Sequence, residues 1–180
     1  MLQLVVGAVI VDSLADPRRV LASRRTRPAE LKGRWEFPGG KVEPGESAED
    51  ALVREVQEEL DVTIMLGDEL TPTGEAWQLI SSQLVLRLFW AEIFVGTPTL
   101  GESHDEVRWL EAKDLTSLNW LDADRAALPA VLEELTSEPE AVSPEEITST
   151  SEEAPPDDAA GPAAPASSDR PRLSRRWPRR

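Results

Sequence analysis

The sequence predicts an α/β fold, a sandwich in which a mixed β-sheet lies between helical layers. Apolar, β-branched runs with strand character alternate along the chain with two segments of helical periodicity. The two helical segments are far apart and are separated by strand-like runs, a pattern typical of a sheet with helices packed on it. The chain has 180 residues, of which 40% are hydrophobic, so one globular domain with a core is expected.

Four stretches have the composition of strands. Leu2–Val11 and Arg19–Ser23 are apolar, β-branched runs separated by a turn-rich stretch that contains Asp-x-x-x-Asp-Pro. Leu79–Val95 is long and apolar with scattered polar residues, which is consistent with one strand or two. Val107–Leu110 predicts a further short strand.

Helices are predicted at Ser47–Leu60 and Ala123–Leu135. Ser47 is a suitable N-cap, and Asp50, three residues later, completes an approximate capping box. The apolar residues of the first helix lie mainly on one face: Ala48, Ala51, Leu52, Val56 and Leu60.

The composition changes near residue 135, and we expect a folded domain over residues 1–135 and a disordered tail over 136–180. The second stretch holds 8 of the 15 prolines and little large apolar material, so it cannot bury enough surface to offset chain entropy. Glu138–Asp158 is purely acidic, whereas Arg170–Arg180 holds six arginines and Trp177. The tail is interpreted as a solvated linker with a basic end, or as an arginine-rich arm that binds RNA, anionic lipid or the acidic body.

Composition also excludes several classes of function. The chain has no cysteine, which excludes disulfides, thiolate metal sites and cysteine catalysis. The net charge of −15 argues against binding to duplex nucleic acid, because phosphates would be repelled. The longest apolar run, Val5–Val11 with Gly7 inside it, is too short to span a bilayer. A cytoplasmic location without membrane contact is therefore expected.

Three glutamates, Glu55, Glu58 and Glu59, lie at i, i+3 and i+4 on the first helix. Their Cα atoms span only about 6 Å along the helix axis, so like-charge repulsion destabilises the bare cluster. A solvated acidic face is one interpretation. The other is a site for Mg²⁺, which prefers oxygen ligands and bridges carboxylates to substrate phosphates.

The wider spacing around these glutamates resembles a family motif. Gly40, five residues, Glu46, seven residues, then 54–59 (Arg-Glu-Val-Gln-Glu-Glu) and finally Val62 is similar to the Nudix box. The segment 35–41 (Trp-Glu-Phe-Pro-Gly-Gly-Lys) and Ser23-Arg24-Arg25 resemble the MutT-like branch of that superfamily. The resemblance covers roughly residues 2–135. One departure is Asp61, where the family usually has glycine; Asp can adopt the left-handed cap at a cost of about 1 kcal/mol.

The resemblance implies a Nudix-type α/β/α sandwich and a hydrolase that converts a nucleoside triphosphate and water to the monophosphate and diphosphate. It implies that Mg²⁺, with Mn²⁺ as an alternative, is held by Glu55, Glu58, Glu59 and the Gly39 carbonyl. Arg54 would be a buried partner of Glu46 and part of the catalytic set. Substrate contacts are expected from Arg25, Glu36, Phe37, Pro38, Gly39, Lys41 and Asp124. A monomer and a homodimer are both compatible with the sequence.

The sequence does not single out one residue as the general base. In the MutT group a loop glutamate often takes this role, and Ser103 stands where that glutamate is most frequent. The candidates that remain are a neighbouring loop acid or, preferred here, Glu55 of the helix. His104, the only histidine, is expected to be a local hydrogen-bonding residue rather than a catalytic one. The loop acids in question are Glu102, Asp105 and Glu106.

Asp124 at the start of the last helix is the candidate reader of the base. An asparagine at this position of MutT reads oxidised guanine, whereas an ionised Asp offers only acceptors and pairs well with the N4 amino group of cytosine. Its alternative role is that of a first-turn acid stabilised by the helix dipole. Phe37 or Trp77 is available to stack on the base, and the core is expected to contain Trp35, Trp90 and Trp109.

These residues lead to one hypothesis and three alternatives. The local pattern around Asp124 resembles the CTP/dCTP pyrophosphohydrolases of the MutT-like branch, so the first is a Mg²⁺-dependent pyrophosphohydrolase that prefers cytosine nucleotides (CTP, dCTP and 5-methyl-dCTP) and sanitises the nucleotide pool. The second is an 8-oxo-dGTP diphosphatase that prevents mutation. The third is a non-catalytic Nudix sensor, against which the intact metal set argues. The fourth is a dinucleotide or sugar-nucleotide hydrolase, which little sequence outside the shared segment favours.

Overall fold

The computed structural model describes residues 3–70, 79–81 and 84–137, and for 79–81 it describes the backbone alone. Trp77 and the predicted tail from residue 138 onward lie outside the described residues. Short 3-10 helices lie at Ala29–Leu31 and Ala112–Ser117. The strands and α-helices of the described part are, in chain order, β1 (Gln3–Val11), β2 (Arg19–Arg25), β3 (Trp35–Glu36), β4 (Gly39–Lys41), α1 (Ala48–Leu60), β5 (Thr63–Glu69), β6 (Leu79–Ser81), β7 (Leu84–Val95), β8 (His104–Glu111) and α2 (Asp122–Thr136).

The strands form one mixed sheet in the order β3-β2-β1-β7-β5, with β4 beside β1, β6 beside β7 and β8 beside β2. β1 and β7 pair in parallel from Gln3↔Leu84 to Val11↔Glu92. The other pairs are antiparallel. The mixed sheet predicted from the sequence is therefore confirmed.

The two helices cover opposite faces of this sheet. α1 buries its apolar stripe in a cluster with β1 residues such as Ile10 and β7 residues such as Phe89. α2 buries Leu128 and Val131 in a second cluster that contains Val9 and Leu88. Successive residues of a strand point to opposite faces, so the neighbours Val9 and Ile10 belong to different clusters. The α/β/α sandwich is confirmed.

The ends of α1 show why the sequence forms a helix there. The Ser47 hydroxyl accepts a hydrogen bond from the Asp50 amide (3.0 Å) and donates to the Asp50 carboxylate (2.8 Å), which satisfies the first turn. Asp61 ends the helix in the left-handed conformation, with φ 54° and ψ 38°, and its amide donates to the Gln57 carbonyl at 3.0 Å. The capping residues predicted from the sequence both cap this helix.

The stretch Leu79–Val95 contains two strands, β6 and β7, which is one of the two possibilities expected from the sequence. Other features of the sheet differ from the prediction. β5 was not predicted, because it is an edge strand whose burial alternates only weakly. Trp109 is not a core residue: it is 37% exposed, because it precedes the buried Leu110 on β8 and faces the other side, under the Arg19 guanidinium.

No helix in the described part of the chain has both the length and the apolar character needed to cross a membrane.

The left-handed cap of α1 gives a stability prediction. Replacing Asp61 with glycine should raise the free energy of unfolding by about 0.5–1 kcal/mol, because glycine adopts φ 54° without the Cβ penalty and this gain exceeds the loss of the exposed Gln57 contact. Replacing Asp61 with alanine should lower it, since alanine keeps the Cβ and loses the Gln57 contact to Asp61 Oδ1. Urea denaturation of the three proteins measures both changes, and a D61G protein less stable than the parent would contradict this account.

Candidate active site

The candidate site lies where the β3–β4 corner, the C-terminal half of α1 and the start of β8 meet. The Gly39 amide donates to Glu59 Oε2 at 3.0 Å, which joins the corner to α1. The Gly101 amide donates to the Glu59 carbonyl at 2.9 Å, which joins the segment before β8 to the end of α1. The Thr26 amide donates to the Ser103 carbonyl at 2.9 Å, so the end of β2 holds this segment from the other side.

The two glycines of the corner allow two close approaches, one by a helix carboxylate and one by the backbone of β1. A Cβ on Gly40 would lie 2.2 Å from the Glu55 carboxyl carbon, and one on Gly39 would lie 2.1 Å from the Val6 carbonyl oxygen. Gly40 therefore leaves room for Glu55 at the corner, and Gly39 lets the corner lie directly against β1.

Arg54 ties the loop before α1 to the helix, as predicted. Its Nη2 donates to Glu46 Oε1 at 2.8 Å and to the Lys41 carbonyl at 3.2 Å. The pair is half-buried rather than buried, with side-chain exposures of 30% and 20%. Arg54 Nη1 also donates to Glu55 Oε1 at 2.9 Å and lies 3.7 Å from Glu58, so this arginine stabilises two of the predicted metal ligands as well.

The three helix glutamates differ in their surroundings. Glu58 is largely exposed, whereas the Glu55 and Glu59 side chains are 19% and 13% exposed. Burial, together with the nearby charges of Glu36 and Glu55, raises the pKa of Glu59 to about 7, against the opposing effect of His104 and the Gly39 amide. Glu59 is therefore a buried carboxyl group at which added positive charge would be favourable.

A second group, whose members lie far apart in the sequence, surrounds Glu59. The ligand atoms of Glu36, Glu59 and His104 all lie within 4.8 Å of one another. His104 Nε2 is 2.8 Å from Glu36 Oε1, and Nδ1 is 3.1 Å from the Ser103 hydroxyl. The motif around Glu36 and the unique histidine were both noticed in the sequence, but their contact depends on the pairing of β2 with both β3 and β8.

The residues predicted to bind substrate are found in different environments. Arg25 Nη1 donates to both Glu36 oxygens, at 2.7 and 2.5 Å, and Arg25 Nε donates to the Arg27 carbonyl at 2.9 Å. Lys41 is exposed and Pro38 is buried. Phe37 is 3% exposed and packs against Trp120 with ring centroids 5.0 Å apart, so its ring belongs to the core in this state.

The loop acids considered as general base have other partners. Asp105 accepts from Arg24 Nε at 2.7 Å, and this pairing lowers the pKa of Asp105. Glu106 contacts Arg24 and Arg108. The side chain of Glu102 is 91% exposed. Ion pairing makes Asp105 a weaker base.

Asp124 lies in the first turn of α2 and is 5% exposed. The segment before α2 is fixed to β3, since the Trp35 amide donates to the Asn119 carbonyl and the Leu121 amide donates to the Trp35 carbonyl. The Phe37 amide then donates to Asp124 Oδ1 at 3.3 Å. Burial and the charge of Glu36 raise the pKa of Asp124 to about 8, so the carboxyl group is mainly protonated at neutral pH, unlike the ionised acceptor assumed from the sequence.

Comparison with known proteins gives the family. The model of the NUDIX domain matches residues 1–131. A Mycobacterium tuberculosis protein named, provisionally, 8-oxo-dGTP diphosphatase 2 is 35% identical over 130 residues, which cover 68% of this chain and 83% of that protein. The CTP pyrophosphohydrolase of Escherichia coli is 46% identical over 50 residues, 28% of this chain and 37% of that protein.

Solved structures agree with the sequence relatives. The crystal structure of a MutT NUDIX hydrolase from Burkholderia pseudomallei has a TM-score of 0.59 and 30% identity, and the match covers 73% of this chain and 98% of that one. The solution structure of the E. coli ORF135 protein has a TM-score of 0.57 and 28% identity, with 73% and 89% covered. Members of the family generally use a divalent metal ion. The chain belongs to the Nudix hydrolase family, in its MutT-like branch.

Proposed function

We propose that this enzyme is a Mg²⁺-dependent nucleoside triphosphate pyrophosphohydrolase that prefers cytosine nucleotides and sanitises the nucleotide pool. The observation that carries the proposal is Glu59, a buried carboxyl group with a pKa of about 7 that lies against the Gly39 amide. A cation would remove the cost of ionising this group among other acids. The partly exposed Glu55 and Glu58 leave room for a charged substrate beside it.

The residues present fit a hard divalent cation. Glu55, Glu58, Glu59 and the Gly39 carbonyl supply only oxygen donors, the ligands that Mg²⁺ prefers, and Mn²⁺ accepts the same set. Bound Mg²⁺ would neutralise the triphosphate, acidify the attacking water and stabilise the leaving diphosphate. Arg54 would hold Glu55 and the preceding loop in place through its contacts to Glu46 and Lys41.

The chain itself would bind the phosphates and take up the proton. Lys41 is exposed beside the glycine corner and would contact the phosphates as a point charge. Arg25 would contribute a guanidinium N–H that Glu36 does not use. Glu55 stays our preferred general base because its carboxylate lies against Gly40, beside the proposed metal ligands. Ion pairing does not separate the candidates, since Glu55 contacts Arg54 as Asp105 and Glu106 contact Arg24.

The base preference rests on Asp124. A neutral carboxyl group offers one O–H donor and one C=O acceptor, which matches the N3 acceptor and N4 amino donor of cytosine. The backbone segment between Asp124 and the metal ligands would form the wall of the base site. This segment consists of Glu36, Phe37 and Pro38. Stacking by Phe37 would require its ring to leave Trp120.

8-Oxo-dGTP is a second candidate substrate, and two observations favour it. The M. tuberculosis relative, matched over most of its length, and an E. coli relative that is 40% identical over 62 residues are both named 8-oxo-dGTP diphosphatases. A neutral Asp124 would also pair with the N7–H donor and O6 acceptor of 8-oxoguanine. The family match and the diphosphatase names favour either enzyme over the non-catalytic sensor.

Metal dependence tests the proposed reaction. Diphosphate release from CTP should require Mg²⁺ and stop on addition of a chelator. Glu59→Gln should lower kcat by about 10²-fold or more, because a catalytic metal supplies several kcal/mol and each 1.36 kcal/mol is tenfold in rate. Glu49→Gln, on the exposed first turn of α1, is the matched control and should keep parental activity. Full turnover by the Glu59→Gln protein, or turnover without metal, would refute the proposal.

A substrate panel tests the base preference. kcat/KM is measured for CTP, dCTP, 5-methyl-dCTP and 8-oxo-dGTP with the parent, Asp124→Ala and Asp124→Asn. Asp124→Ala should lower kcat/KM for cytosine nucleotides by about 10- to 100-fold, the equivalent of one bidentate pair. Asn, whose amide offers an NH₂ donor group and a C=O acceptor, should keep most of the preference. Asp122→Ala, whose parent side chain is 88% exposed, is the control. A clear maximum for 8-oxo-dGTP would establish the second candidate instead.

The protonated state of Asp124 predicts a pH dependence of stability. The folded protein keeps this proton up to about pH 8, whereas the unfolded chain releases it near the ordinary pKa of 3.8. The stabilisation is therefore complete below about pH 4 and is lost as the pH rises towards 8. Asp124→Asn carries no such proton, so its stability relative to the parent should rise over this window, by at most about 1.4 kcal/mol per pH unit.

Urea denaturation at pH 5 and pH 7.5 measures the change. The raised pKa of Glu59 adds a slope of the same sign in both proteins, and this slope cancels in their difference. A stability difference that does not change with pH would show that Asp124 is ionised in the folded protein.

A further inference from the structure

His104 is completely buried, with a side-chain exposure of 0%, although the proposed reaction assigns it no task. Both ring nitrogens have partners: Nε2 lies 2.8 Å from Glu36 Oε1 and Nδ1 lies 3.1 Å from the Ser103 hydroxyl. A buried imidazole with two hydrogen-bond partners is held in one orientation. The fixed imidazole can therefore hold the groups that it contacts in one orientation.

Ser103 connects this imidazole to the metal site. Its hydroxyl lies 3.4 Å from Glu59 Oε1, and the other carboxylate oxygen, Oε2, accepts from the Gly39 amide at 3.0 Å. Glu59 is thus held at both oxygens, by a backbone amide on one side and by Ser103 on the other. The 3.9 Å between His104 Nδ1 and Glu59 Oε1 is too long for a direct hydrogen bond, so Ser103 is the link.

The far end of this chain of contacts is anchored. Glu36 is 6% exposed and accepts from Arg25 Nη1 at both oxygens. Arg25 is fixed in turn through Nε to the Arg27 carbonyl. Arg25 and His104 are also partners in the pairing of β2 with β8. Glu36 therefore provides a rigid support for the imidazole.

We propose that His104 is a positioning residue that acts through the Ser103 hydroxyl to hold the Glu59 carboxylate in the orientation that binds a divalent cation. Glu36 and Arg25 are the support against which His104 is held. Groups that hydrogen-bond to metal ligands typically change metal affinity or activity by 10- to 100-fold when removed. The inference rests on the proposed function, since it assigns Glu59 to the metal.

Direct ligation by His104 is the competing explanation, because Glu36, Glu59 and His104 place ligand atoms within 4.8 Å of one another. Ligation through Nε2 would replace its hydrogen bond to Glu36 and put a cation next to the Arg25 guanidinium that shares this carboxylate. Ligation through Nδ1 would break the Ser103 contact. Charge repulsion and the lost hydrogen bonds both favour the positioning role.

The experiment uses the full chain and four variants. Ser103→Ala removes the link, His104→Asn keeps a polar atom near the Nδ1 position, and His104→Gln keeps one near the Nε2 position. Leu110→Ala, a buried apolar residue of the same strand, is the matched control for a loss of packing in β8. The Kd for Mn²⁺ without nucleotide is measured by EPR titration, and kcat and KM for CTP are measured under Mg²⁺.

Ser103→Ala and His104→Gln should weaken Mn²⁺ binding and lower kcat by about 10-fold or more, with KM changed much less. His104→Asn should recover a large part of both losses, because it still reaches Ser103. Leu110→Ala should lower Tm while the Kd and kcat stay at parental values. If His104 had only a structural role, His104→Asn would not be expected to restore Mn²⁺ affinity and kcat while His104→Gln does not.

Unchanged Mn²⁺ affinity and kcat in folded Ser103→Ala would overturn the inference. Nitrogen hyperfine coupling to Mn²⁺ in the parent, lost in both His104 variants, would also overturn it, since His104 would then be a ligand. If the His104 variants fail to fold, Ser103→Ala alone tests the inference. Ser103 is only partly buried, so its replacement should not prevent folding. A parent that binds Mn²⁺ but hydrolyses no nucleotide would refute the proposed function, and the Kd comparison would still test the link.

Discussion

Burying three acidic side chains in one site governs how the residues around that site are arranged. Glu36, Glu59 and Asp124 are all largely removed from solvent, and an unpaired charge in such a place is costly. Each acid meets this cost in a different way. Glu36 pairs with Arg25 and His104, and Asp124 keeps its proton. Glu59 has hydrogen bonds, but within the described ranges its ion-pair contact is His104 at 3.9 Å. Glu59 therefore gains most from a metal ion.

The fold supplies the backbone that makes this arrangement possible. Gly40 lets the Glu55 carboxylate lie directly against the corner, and Gly39 lets the corner lie against β1. Amides of the segment before β8, at Thr99 and Gly101, satisfy the carbonyls of Leu60 and Glu59 at the end of α1. The end of α1 is thus joined to the segment before β8 by main-chain contacts, and to the corner through the Glu59 carboxylate.

Sequence patterns predicted the features that depend only on residues close together in the chain. The periodicity of α1 and its caps at Ser47 and Asp61 follow from neighbouring residues, and the glutamate spacing follows from the helical repeat. Contacts between distant segments were not predictable in this way. The Glu36–His104 pair joins residues 68 positions apart, and the exposure of Trp109 depends on which face of β8 meets the core. The neutral state of Asp124 depends on burial, which its position in the sequence does not reveal.

Glu36 is the point at which the two halves of the site meet. Its carboxylate supports His104, and through Ser103 the Glu59 ligand, while its charge also raises the pKa of Asp124. The residue proposed to read the base and the residue proposed to hold the metal therefore share one electrostatic neighbour. Groups in one such network do not contribute independently. A rate lost on changing Glu36 would combine effects on the metal, the base and the fold, so only variants beyond it, at Ser103 and Asp124, can separate the two halves of the site.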